Sequence, residues 1–208
     1  MGGTFVRAAS DREQVFEMIC RLIRERDRAW LAASPEHATC DHDVRLHAES
    51  DWISITTCPE GVATEISVTA ATEVIELYCV DEHRLRFAYD HHAKGEALRS
   101  LQYDDNAWTV VRGTPEGWES AVLFSAELMN QYRKHAPQDE LRMVEERSIV
   151  TVGRSIPWAC DGDTITQIAC ALGLPYEGRG DKFLNELRRE TITGSLSSSP
   201  SAKRWWRF

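Results

Sequence analysis

The densest set of potential ligand side chains is Glu36, His37, Cys40, Asp41, His42, Asp43 and His47. Zinc takes imidazole nitrogen and thiolate sulfur at the corners of a tetrahedron, and His37-x-x-Cys40 could fill two of them. Structural zinc sites bring a second matched pair, which is missing here, as is a His-Glu-x-x-His helix. The stretch reads first as a solvated polar connection and second as the site of a metal-dependent enzyme.

Asp90-His91-His92 is another place where an imidazole could act as base or ligand. No Gly-x-Ser-x-Gly elbow and no cysteine in an active-site context accompanies it, so it reads as a strand end approaching a turn. The phosphate loop Gly-x-x-x-x-Gly-Lys-Ser/Thr does not occur, and Gly178-Arg179-Gly180 is too little to cradle a phosphate. No catalytic residue, no metal set and no cofactor is expected from these patterns.

Thr166-Gln167-Ile168-Ala169-Cys170-Ala171-Leu172-Gly173-Leu174-Pro175 has the small residue and turn glycine of a helix-turn-helix, which makes a DNA-binding regulator over 163–190 the second alternative. Charge argues against it. Glu177 to Glu190 carries acids and bases in equal number, giving no electrostatic footprint for DNA. The terminal Lys203-Arg204-Trp205-Trp206-Arg207-Phe208 mixes cations with aromatic rings, a combination that can seat on an anionic surface or fold back onto acidic parts of the same chain. Trp108 and Trp118 bracket Gly113 to Gly117 and are expected to clamp a strand to the helix that follows.

The formal charge of −9 is not spread evenly. Residues 41–106 hold fourteen acidic and five basic side chains, while the segments on either side are balanced. Asp81, Glu82, Asp90, Glu96, Asp104 and Asp105 lie in or beside expected hairpin turns, where acids stay exposed. They are the candidate partner-binding residues. Such a field repels nucleic acid and speeds encounter with a basic protein. The composition, 42% hydrophobic and 27% charged, is that of a globular protein. No run is long enough to span a membrane. The start lacks the n- and h-regions of a secretory signal, and the six cysteines form no C-x-x-C pair. A reducing cytoplasm without disulfides is the expected setting, with Cys20, Cys79 and Cys170 as small apolar groups in apolar stretches.

The elements that would position these residues follow from periodicity. Thr4 to Ala8 reads as a first strand. Ser10-Asp11-Arg12-Glu13 is a capping box, and the helix it opens puts Val15, Phe16, Ile19, Cys20, Leu22 and Ile23 on one side as far as about Ala33. Residues 34–50 read as a surface connection and Trp52 to Thr57 as a strand. Pro59 to Ala71 is expected to be a helix crossing between two strands. Four short runs from Glu73 to Val111, separated by Asp81-Glu82-His83, His92-Ala93-Lys94-Gly95 and Asp104-Asp105-Asn106, predict an antiparallel meander. A helix from Thr114-Pro115 toward Tyr132, a polar break over 135–140, a strand over Ser148–Val152 and helices at 161–173 and 181–190 complete the reading. Residues 1–192 form one domain, and 193–208 form a serine-rich linker and tail.

Trp52-Ile53-Ser54-Ile55, Glu73-Val74-Ile75-Glu76-Leu77, the hairpin Gly95-Glu96-Ala97-Leu98-Arg99-Ser100-Leu101, Trp108 to Gly113 with Glu116-Gly117-Trp118-Glu119, and Ala171-Leu172-Gly173-Leu174-Pro175 together resemble small bacterial cytosolic proteins of the toxin-immunity type. The resemblance covers a third to a half of the chain and rests on packing and turn patterns. It implies an α+β fold and tight, non-catalytic blocking of a cognate toxin, and it assigns no binding residue. The expectation is therefore an α+β domain, an antiparallel sheet of about five to seven strands with helices mainly on one face, that binds a basic partner such as a toxin domain.

Overall fold

The computed structural model describes residues 2–8, 11–33, 41–81, 85–157, 162–176 and 186–192. The elements run β1 (Gly2–Arg7), α1 (Arg12–Ala33), β2 (His42–His47), β3 (Trp52–Ile55), α2 (Val62–Thr69), β4 (Glu73–Asp81), β5 (Leu85–Ala93), β6 (Glu96–Asp104), β7 (Ala107–Gly113), a π-helical turn over Glu119–Leu123, α3 (Ala126–His135), α4 (Gln138–Arg147), α5 (Gly162–Ala171) and β8 (Glu186–Ile192). The strands form one sheet in the order β7-β6-β5-β4-β1-β3-β2-β8. Every neighbouring pair is antiparallel. The fold is α+β with an antiparallel sheet, as the sequence predicts, but with eight strands rather than five to seven.

The two additional strands come from segments with weak apolar patterns. β2 lies in the stretch expected to be a surface connection, and β8 occupies the second half of the expected 181–190 helix, where it pairs with β2. The expected strand over Ser148–Val152 is irregular chain. The segment still covers part of the β7 edge, Trp108 N–H donating to the Arg154 carbonyl and Gly153 N–H to the Trp108 carbonyl. The helix expected from Thr114 is broken at Phe124–Ser125, and Ser125 caps α3 by accepting from the Leu128 amide. α4 begins inside the expected polar break.

Helices cover both faces of the sheet, contrary to the one-sided layer expected. Phe5 and Val6 are consecutive on β1 and so point to opposite sides. Phe5 packs with Leu77, Tyr89, Leu101 and Trp108, with Val122 and Leu123 of the π-helical turn, and with Ile165 and Ile168 of α5. Val6 packs with Val44, Ile53 and Ile55, with Phe16, Ile19 and Ile23 of α1, and with Val62 and Ile66 of α2. The sheet thus has an α5 face, covered over β4–β7, and an α1 face, covered over β1, β3, β2 and β8. Tyr132, Leu141, Val144 and Ile156 make a smaller cluster between α3 and α4.

β7 ends at Gly113, whose φ of +81° and position 1.9 Å from the Leu98 carbonyl, measured from an added Cβ, leave no room for a side chain. The tryptophans behave as expected: Trp108 and Trp118 are both in the core, stacked edge-on against Tyr103 and Tyr89 respectively. Cys20 and Cys79 are buried as small apolar groups, whereas Cys170 is exposed. No described helix is long and apolar enough to cross a membrane. Ser10 and the 193–208 tail lie outside the described residues.

Candidate functional site

The meander β4–β7 carries most of the candidate residues, and its two faces treat them differently. On the α1 face the helices stop near β4 and β5, where α2 packs. Beyond them Asp90, Ser100 and Gln102 are half-buried and Arg112 is exposed. Register puts Glu76 directly across from Asp90 and Asp90 across from Ser100. Nearer the β6–β7 turn, Asp104 accepts a hydrogen bond from Arg86 at 3.2 Å.

Burial and the facing Asp90 charge push the Glu76 carboxyl up to about 7, offset in part by a hydrogen bond from Thr4. Burial likewise raises Asp90, against a hydrogen bond from Ser100 and the charges of His92 and Arg112. The Thr4 hydroxyl lies 2.8 Å from the Tyr78 hydroxyl and 3.5 Å from Glu76 Oε1. Burial drives the Tyr78 phenol and the Cys58 thiol beside them well above their ordinary values. A carboxyl still protonated near neutral pH can both donate and accept a hydrogen bond.

On the α5 face the carboxylates are answered by donors. Glu116 accepts from the Tyr89 hydroxyl at 2.5 Å, from His91 Nδ1 at 2.7 Å and from Trp118 Nε1 at 3.0 Å. Burial works to raise its carboxyl, but these hydrogen bonds prevail and hold it below the usual range. Arg99 and Glu119, each with 2% of its side chain exposed, form a two-pronged ion pair at 2.9 and 2.6 Å. Arg99 also donates to the carbonyls of Arg112 and Gly113, tying β6 to the end of β7.

The six acids named from sequence do not form one patch. Asp105 is exposed in the β6–β7 turn, with its amide on Asp104 Oδ1 at 2.9 Å. Asp81 closes β4 at the same end of the sheet, paired with Leu85. Asp90 sits in mid-strand on the open α1 face. Glu96 is exposed at the opposite end, beside the β5–β6 turn. Glu82 and the side chain of Asp81 lie outside the described residues.

The 36–47 set is dispersed by the strand it forms. Glu36, His37 and Cys40 lie outside the described residues. His42 and His47 have opposite parity on β2 and point to opposite faces. Asp43 accepts from Arg45, Arg189 and Thr191, and His47 shares a hydrogen bond with Ser54 at 2.8 Å. Among the described residues no three His, Cys, Asp or Glu side chains are grouped to hold a metal. Of the second helix expected in the 163–190 alternative, residues 186–190 are strand and 181–185 lie outside the described residues.

Glu76, Ser100, Arg112 and Thr4 were not singled out by the sequence. Alternation along β4 marks Glu76 as facing away from Ile75 and Leu77, but which acid it faces is fixed only by register. Comparison of the chain with known protein families, with curated proteins and with solved structures gives no match.

Proposed function

We propose that the chain is a non-catalytic protein-binding module of the bacterial-immunity type, which presents the acidic end and open face of its meander to a basic partner such as a toxin domain. The observation that carries this reading is the placement of the acidic third of the sequence. Its second half, from Glu73 onward, folds into the meander, where Asp104, Asp105 and the end of β4 come to the same end of the sheet, with Asp90 on the uncovered face behind them. The acids on the α5 face are engaged in holding the structure together, whereas at the turn end Asp105 is exposed and Asp104 reaches solvent beside Arg86. Charge at such a rim sets encounter rate and orientation more than final affinity.

The test is capture of the partner from the source cell, followed by binding measured in a salt series. Asp104→Lys with Asp105→Lys is expected to weaken association about tenfold or more and to flatten its salt dependence. Binding indifferent both to salt and to charge reversal at these positions would overturn the surface assignment, and turnover of a substrate would overturn the non-catalytic reading.

A further inference from the structure

The two edges of the sheet are finished differently. β7 is covered at Trp108, whose N–H and carbonyl are taken by Arg154 and Gly153, and a bulge separates it from β6 at Gln102/Tyr103. β8 closes the other edge. β2 pairs with one side of β8 in unbroken register from His42–Ile192 to Leu46–Arg188, and among the described residues no strand pairs with the other side. Glu186 to Ile192 contains neither proline nor lysine, two residues that commonly blunt an edge. The outward amides and carbonyls of such a strand are a template for another strand.

α1 runs beside this edge. Arg188 lies over the Phe16 ring and pairs with Glu13 and Glu17, and Glu190 pairs with Arg24. A groove of about 580 Å³ follows the same flank of the helix, lined by Glu13, Gln14, Glu17, Met18, Arg21 and Arg24. Its charge is segregated along its length, acids in the N-terminal half and guanidiniums in the C-terminal half, with Met18 between them. Glu13 and Glu17 keep 62% and 56% of their side chains exposed while holding Arg188. Arg21 is exposed and has no partner among the described residues. A stripe that is acidic at one end and basic at the other complements a second copy of itself laid antiparallel to it.

We infer that a second copy of this chain docks on the β8 edge and the α1 flank beside it, forming a two-fold dimer in which the two eight-stranded sheets join. One axis serves both elements. An antiparallel pair of β8 strands centred on Arg189 sets Arg188 across from Glu190 of the second copy, and the symmetry repeats the contact. Glu13 and Glu17 stand by Arg188, and Arg24 stands by Glu190, so the middle of the helix stripe, near Met18, lies beside Arg189. The same axis therefore runs the two α1 helices in opposite directions. It brings Glu17 toward Arg21 of the second copy and Glu13 toward Arg24 of that copy. Arg189 itself points to the opposite face and is paired with Asp43, which compensates the like charge at the axis. The inference does not depend on the protein-binding reading, because β8 is at the far edge of the sheet from β6 and β7 and the dimer leaves Asp104 and Asp105 uncovered.

The test is sedimentation velocity of the full chain over a concentration series, in which a species of twice the chain mass is expected. Arg21→Glu sets an acid against Glu17 of the second copy, and Glu17→Lys sets a cation against Arg21. Each variant alone is expected to weaken association at least tenfold. Both positions are exposed on the helix, so the fold is retained. Mixed in equal amounts, the two variants are expected to form a heterodimer of nearly the unaltered affinity, since every contact between positions 17 and 21 then joins opposite charges. A chain that stays monomeric up to about 100 µM would overturn the inference, and this is the outcome if the chain's own C-terminal residues close the β8 edge. Single variants that associate as well as the unaltered protein would also overturn it. So would a mixture that associates no more tightly than either variant by itself.

Discussion

On the α5 face of the meander a buried acid, Glu119, meets a guanidinium; on its α1 face a half-buried one, Glu76, meets a second acid, Asp90. Both carboxyls have left bulk water, and both belong to the same antiparallel unit. The sign of the partner separates them. Arg99 donates to Glu119 through two nitrogens and uses a further one on two carbonyls, so that the desolvation of both ions is repaid by direct contacts. Glu76 has only a long hydrogen bond from Thr4 and a like charge across the strand gap, and its carboxyl responds by holding its proton. The covered face is built to be rigid with its charges present. The open face is built so that its charge depends on pH.

Breaking the pair on the covered face should produce the largest effect. Arg99→Met leaves Glu119 buried without its guanidinium and removes the tie to the Arg112 and Gly113 carbonyls. A loss of about 3–5 kcal/mol in denaturant unfolding is expected. Combining it with Glu119→Leu should recover much of that loss, because the desolvated charge is then gone. If Arg99→Met costs less than about 1 kcal/mol, the ion pair contributes little and the contrast between the faces fails.

The open face should give a smaller effect that depends on pH. The Glu76 carboxyl is raised from 4.5 to about 7 in the folded state. The unfolded chain therefore releases this proton first. The contribution is fully present below about pH 4.5, is lost as pH rises toward 7, and stays lost above it. The drop amounts to about 3 kcal/mol at most. Glu76→Gln should flatten that slope and make the protein more stable than the unaltered chain at pH 8. Glu116 has the opposite sign: its lowered carboxyl adds stability above the ordinary carboxylate range, and this is lost on acidification through its folded value. Parallel pH profiles for Glu76→Gln and the unaltered protein would show that Glu76 is not the group responsible.

The contrast between faces also explains which features could be read in advance. α1 and the strands of the meander follow from local rules: an apolar stripe of period 3.6, and hairpins closed by Lys94-Gly95 and Asp105-Asn106. β8 does not. Glu186-Leu187-Arg188-Arg189-Glu190-Thr191-Ile192 has the residues of a helix, and its α1-facing side is held by ion pairs of Arg188 to Glu13 and Glu17 and of Glu190 to Arg24, with Ile192 as its buried apolar anchor. Strand pairing with β2 overrides helix propensity there. β2 does alternate, with His42, Val44 and Leu46 inward toward α1, but two aliphatic residues among charges and imidazoles do not announce a strand. At the candidate site, turn chemistry places Asp104 and Asp105. The half-burial of Asp90 and its opposition to Glu76 come from register, which no single segment encodes.

The smallest effect on stability is expected at the turn end, and there a small value has diagnostic use. The Arg86–Asp104 pair spans 3.2 Å, like many strong pairs, but its side chains are 37% and 35% exposed. Water and salt screen it, and Asp104→Ser should cost under about 1 kcal/mol in denaturant unfolding at moderate salt. Compared with Arg99→Met, it measures what burial adds to an ion pair of similar length. It also separates folding from binding: if Asp104→Ser leaves the unfolding midpoint nearly unchanged while weakening capture of a basic partner, the acid acts at the surface. A stability loss of 2 kcal/mol or more would instead place Asp104 among the groups that hold the sheet together, and its role in partner binding would have to be given up.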